Sequence, residues 1–429
     1  MGGVWYTGHV MPIFRNYKQI ATTELRKQAL QIIESGIKAV DPFQAVLKKT
    51  SLVGDSLSID DTVVNLRKFK RVFFVGIGKA SNSAAAAIEH LLGSKLTRGI
   101  SLDVEKRRLR KIVSLRGDHP FPTERNVEAT NRIKELLSNL RANDLVITAI
   151  SGGGSALLCS LPKATCAEEK LITQIFFERG ANIEEINTVR KHLSDLKGGG
   201  LAKLAYPATV VSLIFSDTPG CALDTVASGP TLLDSTSIKD ARALIKEYRL
   251  PEMEFMETLK DKKYFRRVKN ILMVCNMDAL SAMYACALNF GFKAVMCGNC
   301  LAGEAAELGK WLAQKVRPGQ ALIGGGETVV TIKGKGRGGR NQELVLGALP
   351  YLGKESVLVS LDSDGIDNTD AAGAIADNES LKKAKRFGLD YKHYLRYNDS
   401  YSFFKKMDDL VFTGPTGTNI ADLMVILSA

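Results

Sequence analysis

No apolar run in the chain approaches the roughly 18 to 20 residues that a membrane span requires. The longest strand-like one is ATVVSLIF, ending at Phe215, so no membrane-spanning helix and a soluble protein are expected. The opening MGGVWYTGHVMPIFRNYK lacks a basic region followed by a clear apolar core, and is expected to be a loose leader rather than a signal peptide. Cysteine is sparse. Seven in 429 residues, an odd number, argue against a disulfide framework and for a reducing cytoplasm. Cys297 and Cys300 form a lone C-x-x-C with no second pair to complete four metal ligands, so packing is expected there rather than redox or zinc chemistry. Present in excess is positive charge: 58 Lys and Arg against 46 Asp and Glu give a formal +12. Such a surplus draws in anions without choosing among nucleotide, phosphorylated metabolite and nucleic acid. The basic runs EKRRLRK (105–111), KDKKYFRRVK (260–269) and LKKAKRFG (381–388) are expected to be solvated helix faces or linkers. At 45% hydrophobic and 24% charged the chain is globular in composition, and its length suits two domains.

Short apolar runs alternate with helical patterns, the order of an α/β protein with a parallel sheet. RVFFVGIG precedes the Ala-rich KASNSAAAAIEHLLG. KIVSLRG, the helical TERNVEATNRIKELLSNL, NDLVITAISGGG and ATVVSLIFSD follow. The charged stretch Tyr248 to Asn270 contains Pro251 and marks a boundary, giving expected domains at 14–255 and 265–429. Strand and helix patterns then resume from ILMVCN to the carboxyl end. Two such units would bind ligands at the carboxyl ends of strands, in the cleft between them.

Four strand-end segments share glycines and small polar residues: VGIGKAS, ISGGGSAL, IGGGET and FTGPTGTN. Glycine lets backbone N–H groups converge on an anion, and a following helix N-terminus adds partial positive charge. Phosphate binding is expected at Ser151, Gly152, Gly153, Gly154 and Ser155. VGIGKAS matches neither the P-loop nor the dinucleotide signature, yet it sets Lys79 at the start of a helix. Asp217 in SDTPG ends a buried strand, a usual place for a magnesium ligand. Asp362, Asp364, Asp367 and Asp370 lack the glutamate that ends an EF-hand loop, so Asx turns or substrate contacts are expected. Asn187, Arg190, Lys191 and His192 share one amphipathic segment, either an exposed basic face or a clamp for carboxylate or phosphate.

Taken in order, VGIGKAS, GDHPFPTERNVEAT, ISGGGSALL, INTVRKHLSDLKGGGLA, FSDTPG with VASGPT, GGGETVVTIKGKGRGGRNQE, DSDGIDNTDAAGA and TGPTGTNIADLMV resemble the blocks of the glycerate 2-kinase family. That family carries a MOFRL domain at its carboxyl end. The resemblance runs from about Arg71 to the last strand. It implies two α/β, Rossmann-like domains with the active site in the interdomain cleft. It also implies an ATP-dependent kinase that converts D-glycerate to 2-phosphoglycerate with Mg2+ or another divalent cation. The family's basic pair falls at Lys79 and Arg340, as catalytic residues. Arg190, Lys191 and Asn341 are expected to bind substrate and Asp217 the metal, while the glycines of GGGET and GKGRGGRNQE would let the backbone approach substrate and phosphate closely. Lysine, arginine and metal suit phosphoryl transfer, which asks for positioning and charge neutralisation. Arg340, with its planar fork, suits a phosphate or the glycerate carboxylate. Cys221 departs from the pattern, standing where the family usually has an aspartate.

A reductase acting on hydroxypyruvate is the first alternative, but it would need a third glycine and an acid about 20 residues on. Ser81 and LTRGIS (96–101) supply neither clearly. A nucleic-acid-binding role for GKGRGGR is the second, although the stretch occurs once and lacks interleaved aromatics. A small-molecule substrate, no nucleic acid and no membrane are therefore expected. Oligomeric state is left open, a homo-oligomer included.

Overall fold

Residues 13–429 are described by the structure, a computed structural model. The leader reading therefore lies largely outside the described residues, and Tyr17–Ile20 forms a single helical turn. Contacts divide the chain into two units. One holds residues 39–277 with 417–420, and the other holds 13–38, 278–416 and 421–429.

The first unit opens with a small antiparallel meander of β1 (Thr50–Val53), β2 (Ser56–Ile59) and β3 (Thr62–Asn65). Its main sheet holds β4 (Arg71–Ile77), β5 (Arg98–Asp103), β6 (Ile112–Arg116), β7 (Asp144–Ser151), β8 (Thr209–Phe215) and β9 (Val268–Val274) in the order β6-β5-β4-β7-β8-β9. Every neighbouring pair is parallel. β7 is buried at every position, and β4 and β8 at all but the first. Helices on both faces explain why these strands read as unbroken apolar runs rather than alternating ones. Ala84, Ala85, Ala87 and Ile88 form the buried stripe of the Ser81–Leu92 helix. The strand ILMVCN, expected to open the second domain, instead pairs with β8 and completes this sheet. The contact division accordingly falls after Met277 rather than within the charged segment.

In the second unit the sheet is mixed, in the order β10-β11-β15-β12-β13-β14. Its strands are β10 (Lys293–Leu301), β11 (Gln320–Gly326), β12 (Ser356–Asp362), β13 (Gly373–Asp377), β14 (Leu410–Val411) and β15 (Asp422–Ser428). Only β10 and β11 run parallel; the other neighbours are antiparallel. The α/β class holds for both units, but uniform parallel order belongs to the first. The Glu24–Ala39 helix joins the second unit through buried Arg26, whose guanidinium reaches Asp377 at 2.6 Å and Asp409 at 2.7 Å. Among the described residues no helix is long and apolar enough to cross a membrane.

Candidate active site

In the first unit the strand order reverses between β4 and β7. Successive strands run outward to β5 and β6 on one side, and through β7, β8 and β9 on the other. At such a switch point the loops after the two strands diverge and leave a crevice at their carboxyl ends. Here those loops are Gly78–Lys79 and Gly152–Gly154, tied together by the Lys79 amide donating to the Gly152 carbonyl at 2.9 Å. The Ala80 amide donates to Ser151 Oγ at 3.0 Å. Two glycines are obligatory by geometry. A Cβ at Gly152 would overlap the Asp217 carboxylate. Gly153 has φ 78°, and a Cβ there would lie 3.2 Å from His119 Cδ2 and 3.3 Å from Lys79 Cγ. Lys79, His119 and Asp217 therefore gather around two bare peptide units. Thr418 and Asn419, from FTGPTGTN, line the same narrow cleft as Lys79, Ser151 and Gly152.

Behind this loop the Ser155 and Ser228 hydroxyls lie 2.9 Å apart, and Ser228 donates to Asn187 Oδ1 at 2.9 Å. Ala227 and Ser228 carry φ of 51° and 59°, a sparsely populated region for residues with a Cβ, of the kind that accumulates at functional sites. The helix after the glycines spans only Gly154–Leu157. One turn aligns too few peptide dipoles to supply the expected helix-end charge.

Asp103, which sequence reasoning missed, ends β5 and is buried. It accepts from the Asn82 amide at 3.0 Å and the Ser81 hydroxyl at 3.2 Å. Desolvation raises its pKa to about 6 despite these bonds. In a dinucleotide fold the acid after the second strand binds ribose and the first helix N-terminus binds pyrophosphate. Here the acid itself occupies the helix end. The signal was available as an aspartate closing an apolar strand.

Asp217 follows β8 with its carboxylate against Gly152. Among the described residues no group of three or more His, Cys, Asp or Glu is placed to hold a metal ion. A single carboxylate beside the glycine loop nonetheless fits magnesium, which keeps waters and would take further oxygens from a bound phosphate. Four residues on, Cys221 is bonded to Cys275, just after β9. The expectation drawn from an odd cysteine count is corrected here: two strand-end loops bring these thiols together, and an odd total still leaves room for one pair. The other five cysteines are free. Cys297 and Cys300 lie on β10, one partly buried and one exposed.

In the second unit Arg340 opens the Arg340–Ala348 helix. Its guanidinium meets Asp422 at 2.7 Å, Asp362 at 3.1 Å and Glu327 at 3.4 Å. Burial and neighbouring Asp364 hold the Asp362 carboxyl well above its ordinary range, and burial brings Asp422 to about 6. Asn341 is fully buried. Its side chain donates to Asp422 at 2.7 Å and accepts from Ser360 at 2.5 Å, so it holds the acid that holds Arg340. Asp367 caps this helix through the Asn341 and Gln342 amides. Asp364 makes the expected Asx turn with the Ile366 amide. The glycine-rich stretch departs from expectation. Gly336 and Gly339 are bare because Asp399 and Asp367 pack against them, so their close approach is to this chain's own backbone.

Nor is the Ile183–Leu193 helix an exposed basic face. Asn187, Arg190, Lys191 and His192 are all buried. Lys191 pairs with Asp234 at 3.1 Å and Arg190 with Glu169 at 3.5 Å. Burial lowers the Arg190 pKa, and His192 lies 3.2 Å from Glu257. Each base answers an acid far away in sequence, which spacing along one helix does not reveal.

A domain of unknown function, DUF4147, matches residues 28–260, and the MOFRL family matches residues 320–422. The glycerate 2-kinase of Pyrococcus horikoshii is 36% identical, over 94% of this chain and 97% of its own. An Agrobacterium vitis relative with the provisional name of hydroxypyruvate reductase is 39% identical, over 83% of this chain and 99% of its own. The crystal structure of glycerate kinase from Thermotoga maritima superposes with a TM-score of 0.81 at 35% identity, covering 94% of this chain and 99% of that one. The chain belongs to the glycerate 2-kinase family that carries a MOFRL domain.

Proposed function

We propose that the protein is an ATP-dependent kinase that phosphorylates D-glycerate on the 2-hydroxyl, giving 2-phosphoglycerate and ADP. The observation that carries this reading is the meeting of Lys79, His119 and Asp217 around Gly152 and Gly153 at the switch point. The kinase names of its relatives support it. The amides of Gly152, Gly153 and Gly154 would cradle the nucleotide phosphates, with Ser151 and Ser155 fixing the loop's shape. Attack by the 2-hydroxyl on the terminal phosphorus forms the new P–O bond as the bond to ADP breaks, the hydroxyl proton passes to water, and the Lys79 ammonium neutralises charge on the transferring oxygens. Magnesium held by Asp217 and phosphate oxygens would supply further neutralisation when bound. Arg340 is the second catalytic cation, its plane fixed by Asp422 and Asp362. Asn341 enters as the residue that positions Asp422. Arg190 and Lys191 remain substrate candidates only insofar as glycerate draws them from Glu169 and Asp234.

A reductase reading has the names of two Agrobacterium vitis relatives in its favour and the Asp103 cap against it, since a dinucleotide would face a carboxylate at the helix end. A nucleic-acid role is opposed by Arg337, which pairs with Asp370 and stacks 4.0 Å from the Tyr401 ring centroid. The reading takes a small-molecule substrate. Phosphorus NMR of a reaction with D-glycerate, ATP and magnesium tests it. 2-Phosphoglycerate is expected. Oxidation of NADH by hydroxypyruvate, with no phosphorylated product, would sink it.

A further inference from the structure

Beside the switch point, at the carboxyl ends of β5 and β6, lies a cleft of about 820 Å³, within the roughly 300 to 1,000 Å³ of small-molecule sites. We propose, resting on the kinase reading, that this cleft takes the adenosine end of the nucleotide. Three observations lead there. First, Val104, Leu115 and Ala129 line it with apolar surface, against which a flat base can be buried. Second, Lys106, Arg116 and Arg132 also line it and form no ion pair among the described residues, whereas Arg125 is spent on Asp118 at 2.8 Å. Guanidinium planes stack on aromatic rings, so these side chains suit the base rather than the phosphates. Glu105 and Glu128, the acids of the cleft, suit ribose hydroxyls as acceptors.

Third, the cleft is joined to the glycine loop by the chain itself. Arg116 is three residues from His119, which borders Gly153. Three residues span at most about 10 Å, a reach that the phosphate chain of a nucleoside triphosphate can follow. The connecting segment is pinned by buried Asn126, which donates to the Asp118 and Ala156 carbonyls at 2.9 Å each and accepts from the Asp118 amide at 2.9 Å. Asp103, the acid that would bind ribose in a dinucleotide fold, is turned inward to Ser81 and Asn82. The base is thereby displaced outward along β5 and β6, into this cleft. EKRRLRK, read from sequence as a solvated run, supplies Glu105 and Lys106 to one wall.

Calorimetric titration of ADP and of pyrophosphate into the wild type and an Arg116→Ala/Arg132→Ala variant separates the two ends of the ligand. Both arginines are exposed, so their removal leaves the core intact. At least a tenfold loss of ADP affinity is expected, with pyrophosphate binding within about twofold of wild type. Unchanged ADP affinity, or equal losses for both ligands, overturns the proposal. Turnover is measured separately. A wild type that binds ADP through these arginines but forms no phosphorylated glycerate refutes the kinase reading while leaving the cleft assignment standing. A wild type that binds no ADP refutes both.

Discussion

Reduction of the Cys221–Cys275 bond should cost the first unit much of its stability. The two cysteines are 54 residues apart in sequence. In the chain-entropy account a loop of that length is worth about 4 kcal/mol, because the crosslink removes conformations from the unfolded chain. Each kcal/mol shifts the midpoint of a unit of this size by roughly 2 to 4 °C, so a fall of about 8 to 16 °C is expected. Thermal melts followed by circular dichroism, with and without a dithiol reductant, measure it, and Cys275→Ser should reproduce the reduced value while no longer responding to reductant. The bond also anchors the loop that follows Asp217, where the Ser216 hydroxyl donates to the Ala222 carbonyl at 3.2 Å. Turnover in the reduced protein should therefore need more magnesium. A reductant-insensitive melt in the wild type, with Cys275→Ser melting at the same temperature, would refute the reasoning.

Lys79→Ala and Arg340→Ala should each fold and lose roughly 100-fold or more in turnover, as expected when a group that neutralises transferring charge is removed; normal steady-state rates in either would strike it from the catalytic set. Gly152→Ala forces a methyl group into the Asp217 carboxylate, and a displacement on the order of 1 Å should lower kcat by about 100-fold; wild-type kinetics would show that loop and carboxylate are not held as described. Burial puts the Asp103 carboxyl at about 6 in the fold, above its ordinary 3.8. Its charge is thus a cost above pH 6, relieved as the pH falls from 6 towards 4 and the folded protein takes up a proton that the unfolded chain does not. Urea titrations across that window should show the wild type gaining up to about 3 kcal/mol relative to Asp103→Asn; parallel pH profiles would count against it.

The first unit was largely legible because its chemistry lies at the ends of apolar runs. β4, β7 and β8 are buried runs, and Lys79, Gly152 and Asp217 each stand within two residues of the end of one. Long-range partners were not legible. Nothing in INTVRKHL says that Lys191 will meet Asp234, or that Arg190 will meet Glu169, since either pattern of bases serves an exposed face equally well. β9 follows a charged stretch, and its pairing with β8 depends on a register that only the folded sheet fixes. The glycines around Arg340 looked like ligand-binding backbone, because close approach has the same composition whether the neighbour is phosphate or Asp399 and Asp367.

The placement of Arg26 sets a schedule for synthesis. Its partners Asp377 and Asp409 lie 351 and 383 residues downstream. At roughly 5 to 20 residues per second the ribosome needs on the order of 20 to 80 s to deliver them. All six strands of the first unit's main sheet emerge in that interval. The Glu24–Ala39 helix must keep its arginine hydrated until Asp377 and Asp409 have left the tunnel, although Ala279 and Met283, which border its Gly36, arrive earlier. A segment translated early is thus among the last to complete its native ion pairs, and a nascent chain halted before Asp377 would hold a folded first-unit sheet and a helix still waiting for its anchor.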